Sequence, residues 1–343
     1  MRDSTRWFGI AAVAALGATL ARRSRAGSFR DQVVLITGGA RGLGLAMARE
    51  LAPEHPRLVL MSRTIAELDR AAADLTARGA SVRVIVADVR DRRRMSDAIE
   101  SIVRRHGRLD VLINNAGVIQ AMPFEHAQVE DFEDSLATHF WGPLFAIRAA
   151  LPIMRRQGGG RIVNIASIGG RIGVPHLSPY CAGKFALVGL SEALHAEVAK
   201  DNIAVTTVTP GLMRTGSHRN VVVRGQRRRE ARWFGLASAT PISSMSASRA
   251  ARQIVAAIRA NRARVTPGIQ ARAGELADAL APELVAAAMT MVANAVLPGP
   301  TEVDGDRGQK SRAIDLGWVE SLLPSGAERR FNQPAAAGGM MPY

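Results

Sequence analysis

Short apolar runs alternate with helix-length stretches along most of the chain after Asp31. Each run is continuous and rich in Val, Ile and Leu, which is typical of parallel strands buried on both faces. Strands that alternate with helices predict a doubly wound α/β fold, in which helices cover both faces of a parallel sheet. The predicted strands lie in "VVLIT" (33–37), "RLVLMS" (57–62), "SVRVIVAD" (81–88), "LDVLINNAG" (109–117), "GRIVNIAS" (160–167) and "IAVTTVTPG" (203–211).

The chain after the last of these strands is less regular. Residues 212–240, which include "RGQRRREARWF", are predicted to be irregular. A helix is predicted from Ser246 to Asn261, then a short strand near 264–266 and one or two apolar helices within 275–297. The polar, glycine- and proline-rich end predicts a flexible tail. The predicted units are an N-terminal apolar segment (1–30), an α/β domain (31–268), an apolar helical extension (269–300) and the tail (301–343).

An unbroken apolar run occupies residues 7–21, between two arginines before it and three after it. Fifteen residues rise about 22 Å as a helix, which is short of the ~30 Å hydrocarbon core of a membrane. A membrane anchor or interfacial helix, a soluble helix packed on protein, and a cleaved signal peptide all fit this pattern. If the segment spans, the arginines after it keep the main domain cytoplasmic. We therefore expect a cytoplasmic protein, with attachment to the inner face of the membrane as one option.

Composition and charge narrow the function classes only slightly. The formal net charge of +15 favours anionic partners. A biased genome composition would produce the same excess of arginine. A single cysteine, Cys181, excludes an intramolecular disulfide. The sequence lacks zinc-type Cys/His spacing, aromatic RNA-binding signatures and a helix-turn-helix pattern, so we expect neither a metal site nor nucleic-acid binding.

The first predicted strand leads directly into a glycine-rich turn, "TGGARGLG" (37–44), which opens a helix. Gly38, Gly42 and Gly44 lack a Cβ, so the chain can turn tightly and approach a pyrophosphate closely. N–H groups at the start of a helix attract phosphates. This context predicts a dinucleotide-binding loop, and the alternative is a tight strand-to-helix turn that binds nothing.

Three further motifs follow in order: "NNAG" (114–117), Ser167 at the end of a strand, and "SPYCAGK" (178–184). The last motif places Tyr180 and Lys184 on one face of a helix, because residues four apart are neighbours there. Together with T-G-x-x-x-G-x-G, the motifs resemble the short-chain dehydrogenase/reductase family over residues 31–266. The resemblance implies a Rossmann fold with a seven-stranded parallel sheet and a cofactor that lies across the strand ends.

The resemblance also implies the roles of the catalytic residues. Ser167 would hold and polarise the substrate oxygen, and Tyr180 would be the acid or base. Lys184 would bind the nicotinamide ribose and lower the pKa of the tyrosine. A phenol titrates near ~10, and a nearby ammonium group favours phenolate.

One position departs from the family pattern. The family often has an asparagine in the helix before the serine strand, where it helps to hold a water that links the lysine to solvent. In this sequence the segment reads "THFWGP" (138–143), and His139 stands at that position. Histidine can donate or accept through its ring. His139 could keep a modified proton relay or simply pack there.

The residues at the end of the second predicted strand indicate whether NAD or NADP(H) binds. Enzymes that prefer NAD place an acid there to accept hydrogen bonds from the adenosine ribose. Here Ser62 takes that place, Arg63 follows it, and Arg41 lies in the glycine loop. Two guanidinium groups suit a 2′-phosphate, so we expect NADP(H), unless Arg63 is merely solvated. By resemblance, the other cofactor-binding residues are Thr37, Leu43, Asp88, Val89, Asn115, Ala116, Gly117, Tyr180, Lys184, Pro210, Gly211 and Thr215.

The sequence therefore predicts an NADP(H)-dependent oxidoreductase that interconverts a hydroxyl and a carbonyl. The apolar segments suggest a lipophilic small-molecule substrate and a possible contact with a membrane surface. Seven arginines between 214 and 232 form either a mobile lid near an anionic surface or a solvated charged loop. The alternative function is a non-catalytic, membrane-associated NADPH-binding scaffold or sensor. The resemblance implies a homodimer or homotetramer.

Overall fold

The strands of the protein were located in a computed structural model, which describes residues 27–240, 243–300, 308–311, 314 and 330–331. In chain order they are β1 Val33–Thr37, β2 Arg57–Ser62, β3 Ser81–Val86, β4 Val111–Asn114, β5 Gln120–Ala121, β6 Gly160–Ile165, β7 Ile203–Val208, β8 Leu212–Arg214, β9 Val222–Val223, β10 Ser244–Ser246, β11 Arg264–Val265 and β12 Gln309–Lys310.

The helices lie between these strands and after them. In chain order they are α1 Gly42–Leu51, α2 Ile65–Ala77, α3 Arg92–His106, α4 Val129–Leu136, α5 Gly142–Arg156, α6 Ser178–Glu197, α7 Arg227–Ala239, α8 Ala247–Arg259, α9 Ile269–Leu280 and α10 Pro282–Ala295. A π-helical turn, Ala137–Trp141, joins α4 to α5.

Seven parallel strands form the main sheet, in the order β11-β7-β6-β4-β1-β2-β3. The order reverses between β1 and β4, because β2 and β3 continue on one side of β1 and the later strands continue on the other. In open α/β sheets, ligands bind in the crevice at such a switch point, outside the carboxyl ends of the strands. The predicted doubly wound fold with a seven-stranded parallel sheet is confirmed.

Two apolar layers cover the faces of the sheet, because successive side chains of a strand point to opposite faces. On one face, Val34 and Ile36 of β1 belong to a core that includes residues of α1, α2 and α8. On the other, Val33 and Leu35 belong to a core that includes residues of α3 and α5. Both layers are shielded from water, which explains why β1 is a continuous apolar run rather than an alternating one.

The N-terminal run at 7–21 lies outside the described residues. The described part begins nearby, and Phe29 is already fully buried in the core. The guanidinium groups of Arg161 and Arg259 each lie 5.5 Å from the centre of its ring. Within the described ranges, no helix is long and apolar enough to cross a membrane.

The prediction that residues 212–240 are irregular is wrong for much of this stretch. It contains β8, β9 and the thirteen-residue helix α7. The run of arginines at the start of α7 masked its apolar face, where Ala231 and Phe234 are buried. Arg224 is not solvated either, because its guanidinium group forms a two-bond ion pair with the buried carboxylate of Asp131 (3.0 and 3.1 Å).

The few described residues of the predicted tail contact the α/β domain, and the flexible tail stays a prediction. β12 pairs with β9, and the N–H of Ser311 donates to the carbonyl of Val221. Phe331 is buried in the core beside α1, and the guanidinium group of Arg49 lies 5.7 Å from the centre of its ring. No local sequence pattern predicts these contacts, because each depends on a partner far away along the chain.

Candidate active site

The switch point is built by hydrogen bonds between the ends of β1 and β4. The hydroxyl oxygen of Thr37 accepts the N–H groups of Asn115 (3.0 Å) and Ala116 (3.2 Å). In return, the side-chain amide of Asn115 donates to the carbonyls of Thr37 and Gly38. The "NNAG" segment therefore fixes the glycine loop, and the structure brings these predicted residues together.

The glycine loop has the shape that a dinucleotide requires. Gly38 and Gly42 have φ angles of +63° and +56°, a left-handed conformation that favours glycine. A Cβ on Gly44 would lie 2.3 Å from the carbonyl oxygen of Gly38, and one on Gly38 would lie 2.8 Å from the Cα of Ala116. Only glycines allow this close packing of loop, helix and strand.

The start of α1 is suited to a pyrophosphate. The side chain of Arg41, at the N-cap position, makes no capping hydrogen bond, and the first turn carries no acidic residue. The first N–H groups of a helix have no intrahelical partner and attract anions. The N–H of Gly42 is one exception, because it donates to the carbonyl of Phe331 in the tail (3.0 Å). The buried Leu43 follows it. These residues fit a dinucleotide pyrophosphate.

The predicted adenosine end lies at the carboxyl edge of β2 and β3. Ser62 ends β2, and its hydroxyl accepts the N–H of Thr64 (3.2 Å). Arg63 is exposed, and its guanidinium group lies 3.7 Å from the carboxylate of Asp88. Arg41 forms a 3.5 Å ion pair with Glu67. Neither predicted phosphate-binding arginine is simply solvated, and both ion pairs lie in partly exposed surroundings.

Asp88 is held by its arginine neighbours. Burial raises its pKa, but hydrogen bonds and charge from Arg90, with the charge of Arg63, outweigh burial and hold the pKa below its usual value. Asp88 is therefore a fixed carboxylate beside the predicted adenine position. The next residue, Val89, is buried and packs against Gly142, where a Cβ would approach it to 3.0 Å.

The predicted catalytic residues meet at the end of β6. Ser167 is 8 % exposed and lies two residues beyond the strand. Tyr180 stands in the first turn of α6, and Lys184 lies one turn later with its Nζ 5.7 Å from the centre of the tyrosine ring. The Lys184 ammonium group donates to the carbonyl of Ile165 (2.8 Å), which ties the helix to the strand.

Burial shifts the pKa values of both Tyr180 and Lys184. Although Tyr180 keeps some exposure as a residue, burial of its side chain raises its pKa to about 12, and a hydrogen bond with Ser167 offsets only part of that. Burial lowers the pKa of Lys184 to about 7. Burial of the charged form is the leading cause of both shifts. That Lys184 lowers the pKa of Tyr180 stays a prediction.

His139 makes a directed chain of hydrogen bonds inside the protein. Its Nε2 accepts the N–H of Val118 (3.2 Å), so Nδ1 carries the proton of the neutral ring. Nδ1 then donates to the hydroxyl of Ser135 (3.2 Å), which donates to the carbonyl of Pro179 (2.6 Å). Burial and the charge of Lys184 lower the pKa of His139 well below its ordinary value. Both ring nitrogens are engaged with protein, which favours packing over a relay.

Replacement of His139 by phenylalanine is expected to leave the Val118 N–H and the Ser135 hydroxyl short of a partner. An unsatisfied buried donor costs about 1–3 kcal/mol, so the free energy of unfolding should fall by that amount in a urea titration. His139→Asn supplies an amide oxygen and an amide N–H, and it should recover most of the loss. Equal stability of His139→Phe and the native protein would contradict this account of the ring.

Three of the remaining predicted residues lie in the segment that follows β7. Pro210 follows β7, and its carbonyl accepts the N–H of Ile168, next to Ser167 (2.9 Å). Gly211 lies against α9, where a Cβ would approach Ala271 to 3.2 Å. Thr215 is buried, and its hydroxyl accepts the N–H of Ser217. Gly117 closes the other side of the site, because a Cβ there would lie 3.0 Å from His139 Nε2.

Sequence reasoning missed the buried polar residues that brace the site. Asn114 donates to the side chain of Asn164 on the adjacent strand (2.9 Å), and Asn164 donates to Ser191 of α6 (3.0 Å). Thr207 of β7 also donates to Ser191 (2.7 Å). The one sequence signal for this network is the presence of polar residues within otherwise apolar strands. Within the described part of the chain, no cluster of His, Cys, Asp and Glu could hold a metal ion.

Comparisons with known proteins agree with this architecture. The family model described as short chain dehydrogenase matches residues 32–224, more than half of the chain, so the chain belongs to that family. It is 37% identical over 195 residues to a 3-ketodihydrosphingosine reductase of Bacteroides thetaiotaomicron, covering 56% of this chain and 69% of that protein. It is 35% identical over 204 residues to the 17-beta-hydroxysteroid dehydrogenase 13 of Mus musculus, covering 57% and 66%.

Among solved structures, the fold resembles the L-sorbose reductase of Gluconobacter frateurii, which was crystallised with NADPH and L-sorbose. The TM-score is 0.62 at 28% identity, and the match covers 70% of this chain and 97% of the reductase. The protein is therefore an oxidoreductase of the short-chain dehydrogenase family.

Proposed function

We propose that the protein is an NADP(H)-dependent oxidoreductase that interconverts a hydroxyl and a carbonyl on a lipophilic substrate. The observation that carries the proposal is the meeting of Ser167, Tyr180 and Lys184 at the sheet edge that also holds the glycine loop. A bound nicotinamide would supply or accept the hydride. The positions of the side chains support the roles proposed for them.

In the direction of reduction, Tyr180 donates its hydroxyl proton to the carbonyl oxygen. A phenol whose pKa is raised to about 12 remains protonated at neutral pH, which suits a proton donor. Ser167, at the end of β6 beside Tyr180, would orient the same oxygen. Lys184, whose Nζ donates to the Ile165 carbonyl, would bind the ribose and restore the tyrosine proton. In the direction of oxidation, the positive charge of the oxidised nicotinamide favours phenolate.

The preference for NADP(H) is supported by the end of β2. Ser62 puts no negative charge where a 2′-phosphate would lie, and Arg63 is exposed beside it. The ion pair of Arg63 with Asp88 is long at 3.7 Å, so its guanidinium group can turn to an anion at little cost.

The replacement Ser62→Asp is expected to raise the ratio of the NADPH Kd to the NADH Kd by about tenfold or more. The new carboxylate would repel a 2′-phosphate and accept hydrogen bonds from ribose hydroxyls, and each tenfold corresponds to about 1.4 kcal/mol. Fluorescence titration of both cofactors measures the ratio. The matched control is Ser81→Asp, at the exposed start of β3 on the opposite edge of the sheet. An unchanged ratio in Ser62→Asp would contradict the proposed preference.

The lipophilic substrate is supported by the surroundings of Tyr180. Its ring packs against a buried apolar cluster that includes Leu177, Val221 and Phe234. Helices α9 and α10 also expose large apolar side chains, among them Leu280 and Leu284. A contact with the inner face of the cytoplasmic membrane, or with a second copy of the chain, would cover this surface, and both stay proposals.

The second candidate is an NADPH-binding scaffold without turnover. The engaged ring of His139 favours it, because both ring nitrogens are hydrogen bonded to groups of the protein, which suits packing better than a proton relay. A panel of aliphatic, retinoid, steroid and sugar carbonyls, tested with NADPH, separates the two functions. Turnover of apolar carbonyls would support the proposed enzyme. Turnover of sugars alone would contradict the proposed lipophilic substrate. Binding of NADPH without any turnover would favour the scaffold.

A further inference from the structure

Helix α7 carries a carboxylate that solvent does not reach. Glu230 is 0 % exposed, and each of its oxygens has a donor. Oε1 lies 2.9 Å from Nδ1 of His176, and Oε2 accepts the indole N–H of Trp233 at 2.6 Å. Burial of a carboxylate is costly unless it is hydrogen bonded, so this position requires both partners. We call these three residues the Glu230 latch.

His176 belongs to the loop between Ser167 and Tyr180. Its φ angle is +63°, a left-handed conformation that is uncommon for a residue with a side chain. Such a backbone persists only where its surroundings hold it. Here the carbonyl of His176 accepts the N–H of Met122 (2.8 Å), and its ring is bound by Glu230. The latch therefore fixes the segment that connects two of the predicted catalytic residues.

The same helix supplies apolar contacts next to Tyr180. Ala231 and Phe234 are buried in one cluster with Leu177, and the rings of Tyr180 and Trp233 pack against that cluster. The indole of Trp233 meets the ring of Phe234 edge to face, with 5.6 Å between ring centres. A shift of α7 would thus change the apolar surface against which Tyr180 packs.

A separate anchor holds the chain before α7. Arg224 and Asp131 form an ion pair in which both side chains are at most 10% exposed. This pair ties the end of β9 to α4 independently of Glu230. Loss of the latch should therefore loosen α7 and the His176 loop without releasing the whole 212–240 segment.

We propose that Glu230 is a positioning residue that locks α7 onto the Ser167–Tyr180 loop, and that Trp233 is the apolar wall that selects the substrate by its hydrocarbon part. The inference rests on the proposed function and extends it. The substrate class is a carbonyl compound with an extended apolar chain or ring, whose apolar part lies along α7 while its oxygen meets Tyr180.

The first test uses Glu230→Ala and Glu230→Gln in the full chain. The glutamine amide can donate to one ring nitrogen of His176 and accept from Trp233, so it should preserve the latch. Alanine leaves both partners without an acceptor. The probes are straight-chain aldehydes from butanal to decanal with NADPH. We expect the preference for long chains, measured as kcat/KM, to shrink by about tenfold in Glu230→Ala, through KM more than kcat, and to survive in Glu230→Gln.

Trp233→Ala tests the wall itself and should lower the same preference while keeping the Glu230–His176 contact. Arg229→Gln is the matched control, because it removes a charge from an exposed position of α7 that lies outside the latch. Its chain-length preference should equal that of the native protein. An unchanged preference in both Glu230→Ala and Trp233→Ala would overturn the proposal.

Hydrogen exchange measured by mass spectrometry tests the latch without any turnover. In Glu230→Ala, amides of 171–177 and 227–239 should exchange faster than in the native protein, whereas those of β1 and β4 should not. Equal exchange in all segments would overturn the latch. Faster exchange in every segment would mean a general stabilising role, and that result would also overturn the latch. Failure of the native chain to bind NADPH would defeat the proposed function, yet the exchange result would still decide the latch.

Discussion

Replacement of Tyr180 by phenylalanine is expected to lower kcat by about 10²–10⁴-fold, the usual contribution of a positioned general acid or base. The change removes one oxygen and keeps the ring that packs against the Leu177 and Phe234 cluster. Binding of NADPH should therefore stay close to that of the native protein. The measurement is NADPH oxidation with the best carbonyl substrate, beside a fluorescence titration of the cofactor.

The control for this change is the only other tyrosine of the chain, Tyr343. Tyr343→Phe should leave kcat unchanged. If Tyr180→Phe retained full activity, the proton would have to come from another group. That result would contradict the role of Tyr180 as the acid or base. If it lost cofactor binding as well as activity, the effect would be structural and not a loss of proton transfer.

Replacement of Lys184 by methionine is expected to lower kcat/KM by about a hundredfold, because the residue supports both the ribose and the tyrosine proton. It should also change how stability depends on pH. Burial lowers the pKa of Lys184 to about 7, below the value of 10.5 for an ordinary lysine. Between those two values the unfolded chain binds one proton more than the folded protein, so stability rises with pH across that window.

The sign follows from the direction of the shift. The buried ammonium destabilises the fold fully below about pH 7, and the penalty disappears as the pH rises towards 10.5. Urea unfolding of the native protein between about pH 6 and pH 9 should show this rise, up to about 1.4 kcal/mol per pH unit. In Lys184→Met this part of the rise should vanish. The exposed Lys200→Met should keep the native profile, and an unchanged slope in Lys184→Met would refute the assignment.

Much of the fold could be predicted because the buried strands are continuous apolar runs, which are easy to recognise in a sequence. The runs at 33–37 and 57–62 match β1 and β2 residue for residue, since both strands are buried on both faces and flanked by polar turns. Helix α7 could not be predicted, because its buried Ala231 and Phe234 are separated by charged and aromatic residues that hide the period. The docking of Phe331 depends on a contact across most of the chain, which no local pattern encodes.

The site shows the same division between local motifs and distant contacts. The glycine loop and the Tyr180–Lys184 pair were visible because their spacing is set by one turn or one helix. The role of His139 depends on Ser135 and Pro179, and the latch joins Glu230 to His176, more than fifty residues apart. The raised pKa of Tyr180 could not be foreseen either, because it comes mainly from burial of the side chain, which no local motif encodes.

The most direct test of the proposed function is a fluorescence titration of the purified full chain with NADPH and with NADH, followed in the same sample by addition of the carbonyl panel. The account predicts tighter binding of NADPH and its oxidation by an apolar carbonyl, with no oxidation in Tyr180→Phe. Binding of neither cofactor would contradict the reading of the glycine loop and of the site built around it.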